Sequence, residues 1–316
     1  MVGHYYRQPY IRGLIYIFHM PLFFFLSGLC LSTGKPQSKT IAKDAKHYLL
    51  PYVITSVFYI LAAIGIAVIK HRLSVDLLIA EMLRCFWGTA ADVSVGSMDI
   101  LMAGPIWFLQ ALFWGKLFAR LIIKNTKNDL NRFLVCFAVS IICAISAGYI
   151  WLPLNIQSGL FHTIYLLLGW LAKKRWGADL NGKIEFSQKS LLLVPSVVIL
   201  SIAAYWYSVN QAIVVYGLLD FPLQGVDTFL AILGIILMVF LAKSLDKFSS
   251  FSRFFRKCGE NSLYILCVHS VDLLYLGPLW GFGNKIFVYA IRIVVELLAA
   301  FAILKISKSY RGTEKL

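Results

Sequence analysis

Two histidines of the chain lie in stretches that are otherwise almost wholly apolar. His19 belongs to the run FHMPLFFFLSG at residues 18–28, and His269 closes the segment GENSLYILCVH at residues 259–269. An imidazole inside an apolar helix needs a hydrogen-bond partner for each ring nitrogen, and it can take up or release a proton near neutral pH. Both residues are therefore candidates for proton transfer, and a structural histidine with satisfied partners is the alternative for each.

Other polar side chains in the apolar runs have simpler structural interpretations. Arg292 and Glu296 are four residues apart, which is the spacing of an ion pair within one helix. Lys116 and Arg120 lie toward one end of a run and can extend their charged groups to the membrane surface. Two further residues lie near the starts of runs, where water reaches them and where they can cap a helix or form local hydrogen bonds: His162 and Asp227.

The sequence predicts no metal site. No two histidines share a helix at i, i+4 spacing, and no cluster of cysteine and histidine has the spacing of zinc ligands. The six cysteines form no CxxC pair, and most of them lie inside apolar runs, where we interpret them as small buried hydrophobic residues.

The composition is that of a membrane protein. Charged residues make up only 14% of the 316 residues, whereas a soluble domain carries about 25%. Hydrophobic residues make up 59%, and the mean hydropathy is +0.76. The net charge of +15 could suggest a nucleic-acid partner, but the basic residues form short clusters between apolar runs and no basic face of a soluble fold. The pattern is typical of membrane loops and excludes nucleic acid binding.

About nine apolar runs have lengths suited to membrane-crossing helices. Their length and continuous apolar character favour helices over the alternating strands of a barrel. The sequence thus predicts an all-α, polytopic integral membrane helix bundle that forms a single domain over residues 1–316. The runs cover residues 14–31, 48–69, 105–123, 133–152, 159–172, 191–207, 226–242, 261–280 and 286–304.

Lysine and arginine are distributed unequally between alternate loops. Segments 32–47, 124–132, 173–189, 243–260 and 305–316 contain 21 of the 30 basic residues. By the positive-inside rule these segments are cytoplasmic, which predicts a cytoplasmic C-terminus and an outer location for Met1. Because no apolar stretch precedes residue 14, an outer N-terminus leads us to expect a further helix upstream of Met1. Two segments on the outer side are long, residues 70–104 and 208–225, and the first has an amphipathic part around Val75–Trp87 that suits the membrane surface.

The run FHMPLFFFLSG resembles the second helix of the acyltransferase 3 family, in particular its fucose 4-O-acetylase-like or exopolysaccharide-modifying branch. The segment GENSLYILCVH is similar to a late helix of the same family that ends on a histidine. Three weaker similarities follow the family's order along the chain: YLLPY at 48–52, GPIWFLQALF at 104–113, and the segment 162–173 with its Leu-Gly-Trp before a basic loop. The likeness extends over nearly the whole chain.

The resemblance implies a bacterial inner-membrane enzyme that transfers an acetyl or other short acyl group from cytoplasmic acetyl-CoA to a hydroxyl of a surface or lipid-linked carbohydrate. Family members usually have ten helices, and their first ends in a catalytic histidine that often follows glycine. Gly3-His4 occupies that place here, so the resemblance implies that His4 is the base, with His19 orienting it or the acceptor. The rest of the family's first helix has no counterpart in these residues.

The resemblance also implies how the two substrates are bound. Trp107, Asn261 and His269 would line the acceptor site, and Trp107 could stack against a sugar ring or belong to the aromatic belt of the membrane interface. The family's Arg-x-x-Arg pair is replaced by Lys43 and Lys46, which could contact the CoA phosphates as point charges or could be ordinary basic loop residues. No metal is expected, because the thioester is already activated. The oligomeric state is left open.

Two other functions remain as alternatives. A transporter of glycan or lipid precursors should show inverted repeats or broken helices in matching halves, and neither is evident in the sequence. A truncated, inactive relative is the second alternative.

Overall fold

A computed structural model of the protein describes residues 8–34, 37–177, 186–246, 248–277 and 285–313. Helices dominate its regular structure, because a backbone in lipid must satisfy its hydrogen bonds within one segment. The helices follow one another as α1 (Pro9–Leu29), α2 (Gln37–Asp44), α3 (Leu50–Ile69), α4 (Val75–Trp87), α5 (Trp107–Asn125), α6 (Asp129–Ser146), α7 (Ile156–Phe161), α8 (Thr163–Trp176), α9 (Phe186–Val209), α10 (Val226–Leu245), α11 (Ser249–Glu260), α12 (Ser262–Val271) and α13 (Lys285–Thr313).

Shorter elements connect these helices. A π-helical turn, Ala45–Leu49, joins α2 to α3, and another, Asp272–Leu276, continues α12. A small antiparallel hairpin of β1 (Val93–Val95) and β2 (Met98–Ile100) lies between α4 and α5. Turns of 3-10 helix at Gly104–Ile106 and Pro153–Asn155 lead into α5 and α7.

The predicted all-α membrane bundle is confirmed. Among the described residues, 6 helices are long and apolar enough to cross a membrane, and two shorter apolar helices cover Leu193–Val209 and Ser262–Leu276. The predicted run at residues 159–172 is instead divided between α7 and α8, with a break at His162. The 14 residues of α8 extend only about 21 Å, which is less than the hydrocarbon core of a bilayer. The long helices have these bounds: Pro9–Leu29, Ser38–Ile69, Gly104–Asn125, Asp129–Ser146, Val226–Leu245 and Phe287–Lys305.

Helix α1 makes extensive contacts with three other helices. It packs against α8, α9 and α10, while α5 packs against α7 and α8. The contact between α1 and α8 is close because each contributes a glycine: a Cβ atom at Gly28 would collide with the backbone of Leu166, and one at Gly169 with the carbonyl of Phe25. Small residues of this kind allow membrane helices to pack backbone against backbone.

We expect Gly169→Ala to destabilise the protein by about 1–3 kcal/mol, because the backbones of α1 and α8 cannot separate without disturbing the packing of α1 against its other neighbours. Thermal unfolding of the purified protein in detergent measures the effect. Gly65→Ala in α3 is the matched control, since no described atom outside its own stretch of helix backbone lies within 4 Å of the new methyl group, and alanine is the better helix former. Equal melting temperatures for the two variants would contradict the close packing.

Helix α4 has the bounds of the amphipathic segment in the sequence, but its polar side faces the protein. Glu81 is buried, accepts hydrogen bonds from Arg84 and from the Tyr275 hydroxyl, and so joins α4 to the turn after α12. Its apolar side chains point outward at helical spacing: Val75, Ile79, Met82 and Phe86. This arrangement suits a helix whose outer face meets lipid, and its location at the membrane surface stays a prediction.

Candidate active site

A cavity of about 990 Å³ runs along α1. The residues of α1 that line it extend from Arg12 to Ser27, a distance of about 22 Å along the helix axis. The walls also include the loop residues Ile213–Gly217, of which Tyr216 contacts Ile17 toward the Arg12 end of α1, and Ala90, which lies beside Gly217. His47 and Tyr48 line the cavity as well, and Tyr48 contacts Lys116, one turn from Arg120, which contacts Ser32 just beyond the Ser27 end of α1. The cavity therefore extends along most of the length of α1.

One face of α1 supplies five side chains to the cavity. Arg12, Tyr16, His19, Phe23 and Ser27 follow one another at spacings of four, three, four and four residues, so they share a side of the helix. His19 is seven residues from Arg12 and eight from Ser27, which is about 10 and 12 Å along the axis. The imidazole thus lies near the middle of the cavity.

The geometry of His19 determines which ring nitrogen is available. Its Nδ1 lies 3.1 Å from the carbonyl oxygen of Ile15, one turn earlier in α1. A carbonyl only accepts, so this bond requires a proton on Nδ1 and leaves the lone pair of the neutral ring on Nε2. The ring of Tyr16 lies beside the imidazole, with the ring centres 4.8 Å apart. His19 can therefore accept a proton from a group in the cavity through Nε2.

The structure brings Trp107 and His269 to the same cavity as His19. Trp107 begins α5, and its indole ring packs against Gly217 of the loop that also lines the cavity. His269 lies in α12, and its Nδ1 is 3.1 Å from Oε1 of Glu296 in α13. A buried carboxylate on one imidazole nitrogen orients the ring, as in carboxylate–histidine pairs of catalytic sites.

The interpretation of Arg292 and Glu296 as partners within one helix is corrected by these contacts. Glu296 pairs with His269, and Arg292 donates from Nε to Asp272, with a further bond of 3.0 Å to the Asp272 carbonyl. Both bonds join α13 to the preceding helix. Because the lipid-embedded interface offers no water to solvate either charge, each charge is paired with a group on the neighbouring helix.

The expectation that Lys116 and Arg120 reach the membrane surface is wrong. Both are buried, and both contact the carboxylate of Asp44 at the end of α2. Lys116 also donates a hydrogen bond of 3.0 Å to the hydroxyl of Tyr48, which lines the cavity. Since Asp44 is itself buried, its carboxylate offsets part of the positive charge of Lys116 and Arg120 inside the protein, and the contacts fix the π-helical turn that follows α2.

The remaining predicted binding residues lie outside the cavity walls. Lys43 and Lys46 are exposed on either side of Asp44, close in sequence to His47 and Tyr48. Asn261 lies at the junction of α11 and α12, where its side-chain amide donates to the carbonyl of Lys257 and does not line the cavity. His4 lies outside the described residues.

A fully buried polar cluster supports the part of the cavity wall that Tyr216 forms. The Tyr216 hydroxyl donates to the carbonyl of Ile17 at 2.9 Å, which ties the loop to α1. Asp227 accepts from the hydroxyl of Tyr207 and from the backbone of Leu223. His162 lies behind this wall, stacked on Phe24 with ring centres 4.0 Å apart.

Water does not reach Asp227 or His162, contrary to the expectation from their positions near helix starts, because the loop and α1 cover both. Their local hydrogen bonds are confirmed: Asp227 with Leu223, and Nδ1 of His162 with the Ser158 carbonyl at 2.6 Å. The tyrosines of the cavity, at positions 16, 48 and 216, were missed at the level of sequence. Tyr16 and Tyr48 lie near the starts of apolar runs, like interfacial belt residues, and Tyr216 lies in the segment between two runs.

Comparison with known proteins identifies the family of this fold. The family model Acyl_transf_3, described as an acyltransferase domain, matches residues 2–305. No curated protein and no solved structure gives a significant match.

Proposed function

The chain belongs to the acyltransferase 3 family, and we propose that it moves an acetyl or other short acyl group from acyl-CoA to a hydroxyl of a surface or lipid-linked carbohydrate. Family membership supports acyltransferase activity in a multi-pass membrane protein. The finer assignment of donor, acceptor and membrane rests on the resemblance of FHMPLFFFLSG to the fucose 4-O-acetylase-like, exopolysaccharide-modifying branch and on the cavity. A bacterial inner membrane is the location that this assignment implies.

The observation that supports the proposal most directly is the position of His19. Its imidazole lies midway along a cavity whose two ends are lined by different segments of the chain. A donor entering from one end and an acceptor entering from the other would meet beside it. Such a meeting in a site with restricted water removes much of the entropic barrier to a reaction between two substrates.

The acyl donor would enter at the end lined by His47 and Tyr48. This end adjoins the basic segment 32–47, which the positive-inside rule assigns to the cytoplasm, where acyl-CoA is made. Lys43 and Lys46 are exposed there and could contact the CoA phosphates as point charges. The extended arm of CoA would then carry the thioester along α1 toward His19.

The chemistry requires one proton to move twice. Nε2 of a neutral imidazole takes the proton from the acceptor hydroxyl while the oxygen attacks the thioester carbonyl. The tetrahedral intermediate collapses, the carbon–sulfur bond breaks, and the thiolate of CoA takes up the proton. The products are an O-acyl sugar and free CoA, and the balance requires no metal or further reagent.

Two histidines are candidates for the base. His4 has this role by family resemblance, and His19 has the required position in the described part of the chain. In the proposal His19 either removes the proton itself or orients the acceptor toward His4. Trp107 would contact the sugar ring, and His269, held by Glu296, would line the acceptor site. Asn261 lies outside the cavity wall, so any contribution to acceptor binding would be indirect, through its hydrogen bond at the junction of α11 and α12.

Mass spectrometry of surface and lipid-linked glycan tests the proposal. We compare cells that lack the gene with cells complemented by it, and we expect ester-linked acetyl groups on glycan only in the complemented cells. Acetyl-CoA labelled in the acetyl group should transfer its label to glycan in membranes from the complemented cells. Equal acetyl content in both strains, together with a change in the amount of glycan at the surface, would favour a transporter instead.

A further inference from the structure

The described residues that line the cavity include basic and neutral groups but no carboxylate, since Glu296, which pairs with His269, is not among the lining residues. The ionisable residues of the lining are Arg12, His19, His47 and His269, together with three tyrosines, and no aspartate or glutamate is among the described lining residues. A concave surface of low dielectric with charges of one sign concentrates ligands of the opposite sign. CoA phosphates account for such a preference at the His47 end, but they do not account for Arg12 at the other end.

Arg12 differs from the other inward-facing arginines of the described chain. Four arginines have buried or half-buried side chains besides Arg12, and each has a carboxylate partner: Arg84 with Glu81, Arg120 with Asp44, Arg132 with Asp129 and Arg292 with Asp272. No described carboxylate lies within ion-pair distance of Arg12, and residues 1–8 contain no aspartate or glutamate.

The side chain of Arg12 is nonetheless held in place. It lies in the first turn of α1, its guanidinium carbon lies 5.2 Å from the centre of the Tyr16 ring, and its Nε is buried without a hydrogen-bond partner in the described structure. A guanidinium carries five donors in one plane, and the donors of Arg12 that are not directed at Tyr16 can bind phosphate or carboxylate through paired hydrogen bonds. Arg12 thus presents a positive charge to the cavity and has no carboxylate partner among the described residues.

We propose that Arg12 binds an anionic group of the acceptor, a phosphate or a carboxylate, while the hydroxyl to be acylated lies at His19. This inference rests on the proposed function. The separation of about 10 Å along α1 corresponds to an acceptor that carries its charge on a neighbouring unit and not on the reacting carbon. The acceptor class is therefore an acidic glycan or a sugar linked to lipid through phosphate.

The phosphate of a membrane lipid has the same chemistry as the anion proposed for Arg12. The two sources differ in one respect that an experiment can use. An anion on the acceptor makes Arg12 important only for acceptors that carry charge, whereas a lipid headgroup makes it important for every acceptor when that lipid is present.

The test uses the purified full chain in a neutral detergent, with acetyl-CoA and a glycolipid fraction extracted from cells that lack the gene. Anion-exchange chromatography divides this fraction into a neutral and an anionic pool. We expect acetyl transfer to the anionic pool, and we expect Arg12→Gln to raise the concentration of that pool needed for half-maximal rate by about tenfold. Arg12→Lys should recover part of the loss, and the half-saturating concentration of acetyl-CoA should not change.

Arg72→Gln is the matched control, because it removes one exposed positive charge between α3 and α4 without touching the cavity. Acceptor activity confined to the neutral pool, or an unchanged half-saturating concentration in Arg12→Gln, would overturn the inference and leave the transferase intact. A loss that appears with both pools, and only after phosphatidylglycerol is added, would assign Arg12 to lipid and also overturn it. Absence of transfer to either pool would count against the proposed function itself.

Discussion

Replacement of His19 by glutamine is expected to lower the rate of acyl transfer by about 100- to 10,000-fold, the range typical for loss of a general base. Glutamine has nearly the length of histidine and can still donate to the Ile15 carbonyl, so the local structure of α1 should persist. It cannot take up a proton, however, and the hydroxyl of the acceptor then remains a poor nucleophile. Label transfer from acetyl-CoA to glycan in isolated membranes measures the rate.

The control separates a loss of chemistry from a loss of protein. His71→Asn changes an exposed histidine beyond the end of α3, and asparagine tolerates its positive φ of 51°. We expect this variant to retain full activity, and we expect His19→Gln to be present in the membrane at the same level. Activity of His19→Gln close to that of the unchanged protein would remove His19 from the mechanism.

A comparison of His4→Ala with His19→Gln distinguishes the histidine that acts as the base from the one that orients the acceptor. If His4 is the base, both variants insert into the membrane, but His4→Ala loses essentially all transfer and His19→Gln mainly weakens acceptor binding. If His19 is the base, His4→Ala retains measurable transfer and His19→Gln loses nearly all of it. Full acetylation of glycan by His4→Ala would contradict the assignment from resemblance.

The second large effect is expected from Asp44→Asn, which should destabilise the protein by about 3–5 kcal/mol. Asp44 is buried and contacts both Arg120 and Lys116. Without the carboxylate two cations remain inside the bundle with no opposite charge, whereas an exposed ion pair contributes at most about 1 kcal/mol. Thermal unfolding in detergent, followed by loss of the monodisperse species, measures the change.

Lys43→Gln is the matched control for this prediction because Lys43 is the exposed neighbour of Asp44 on the same helix. It should melt with the unchanged protein, although it would raise the half-saturating concentration of acetyl-CoA if Lys43 contacts the CoA phosphates. The double variant Asp44→Asn, Arg120→Gln should recover part of the lost stability, since one of the uncompensated charges is gone. A melting temperature of Asp44→Asn equal to that of the control would show that the pairs contribute little.

The candidate site was only partly predictable from the sequence. His19 was predicted because an imidazole in a run of phenylalanine and leucine is costly in lipid unless it has a function. His269 was predicted on the same ground, Trp107 followed from resemblance, and the structure brings both to the same cavity as His19. No feature of the sequence pointed to Tyr216 or Arg12. The role of Tyr216 depends on a loop that folds back onto α1, and that of Arg12 depends on the absence of any described carboxylate within ion-pair distance.

Short-range rules determined the class of the protein and the positions of its helices. Apolar run length, the scarcity of charge and the alternation of basic loops need no knowledge of the partners of any helix, and the amphipathic segment Val75–Trp87 was delimited correctly for the same reason. The i, i+4 rule predicted the wrong partners for Arg292 and Glu296, which pair with Asp272 and His269.

Only the tertiary structure decided which charges meet. Asp44 and Arg120 are 76 residues apart in the chain, and His269 and Glu296 are 27 apart, so no periodicity within one helix could relate them. In a membrane the cost of an unpaired charge is large whichever partner relieves it, and packing alone selects the partner. The sequence therefore determined that the polar groups had to be paired or used, and the arrangement of helices around α1 determined which were paired and left Arg12 and His19 facing the cavity.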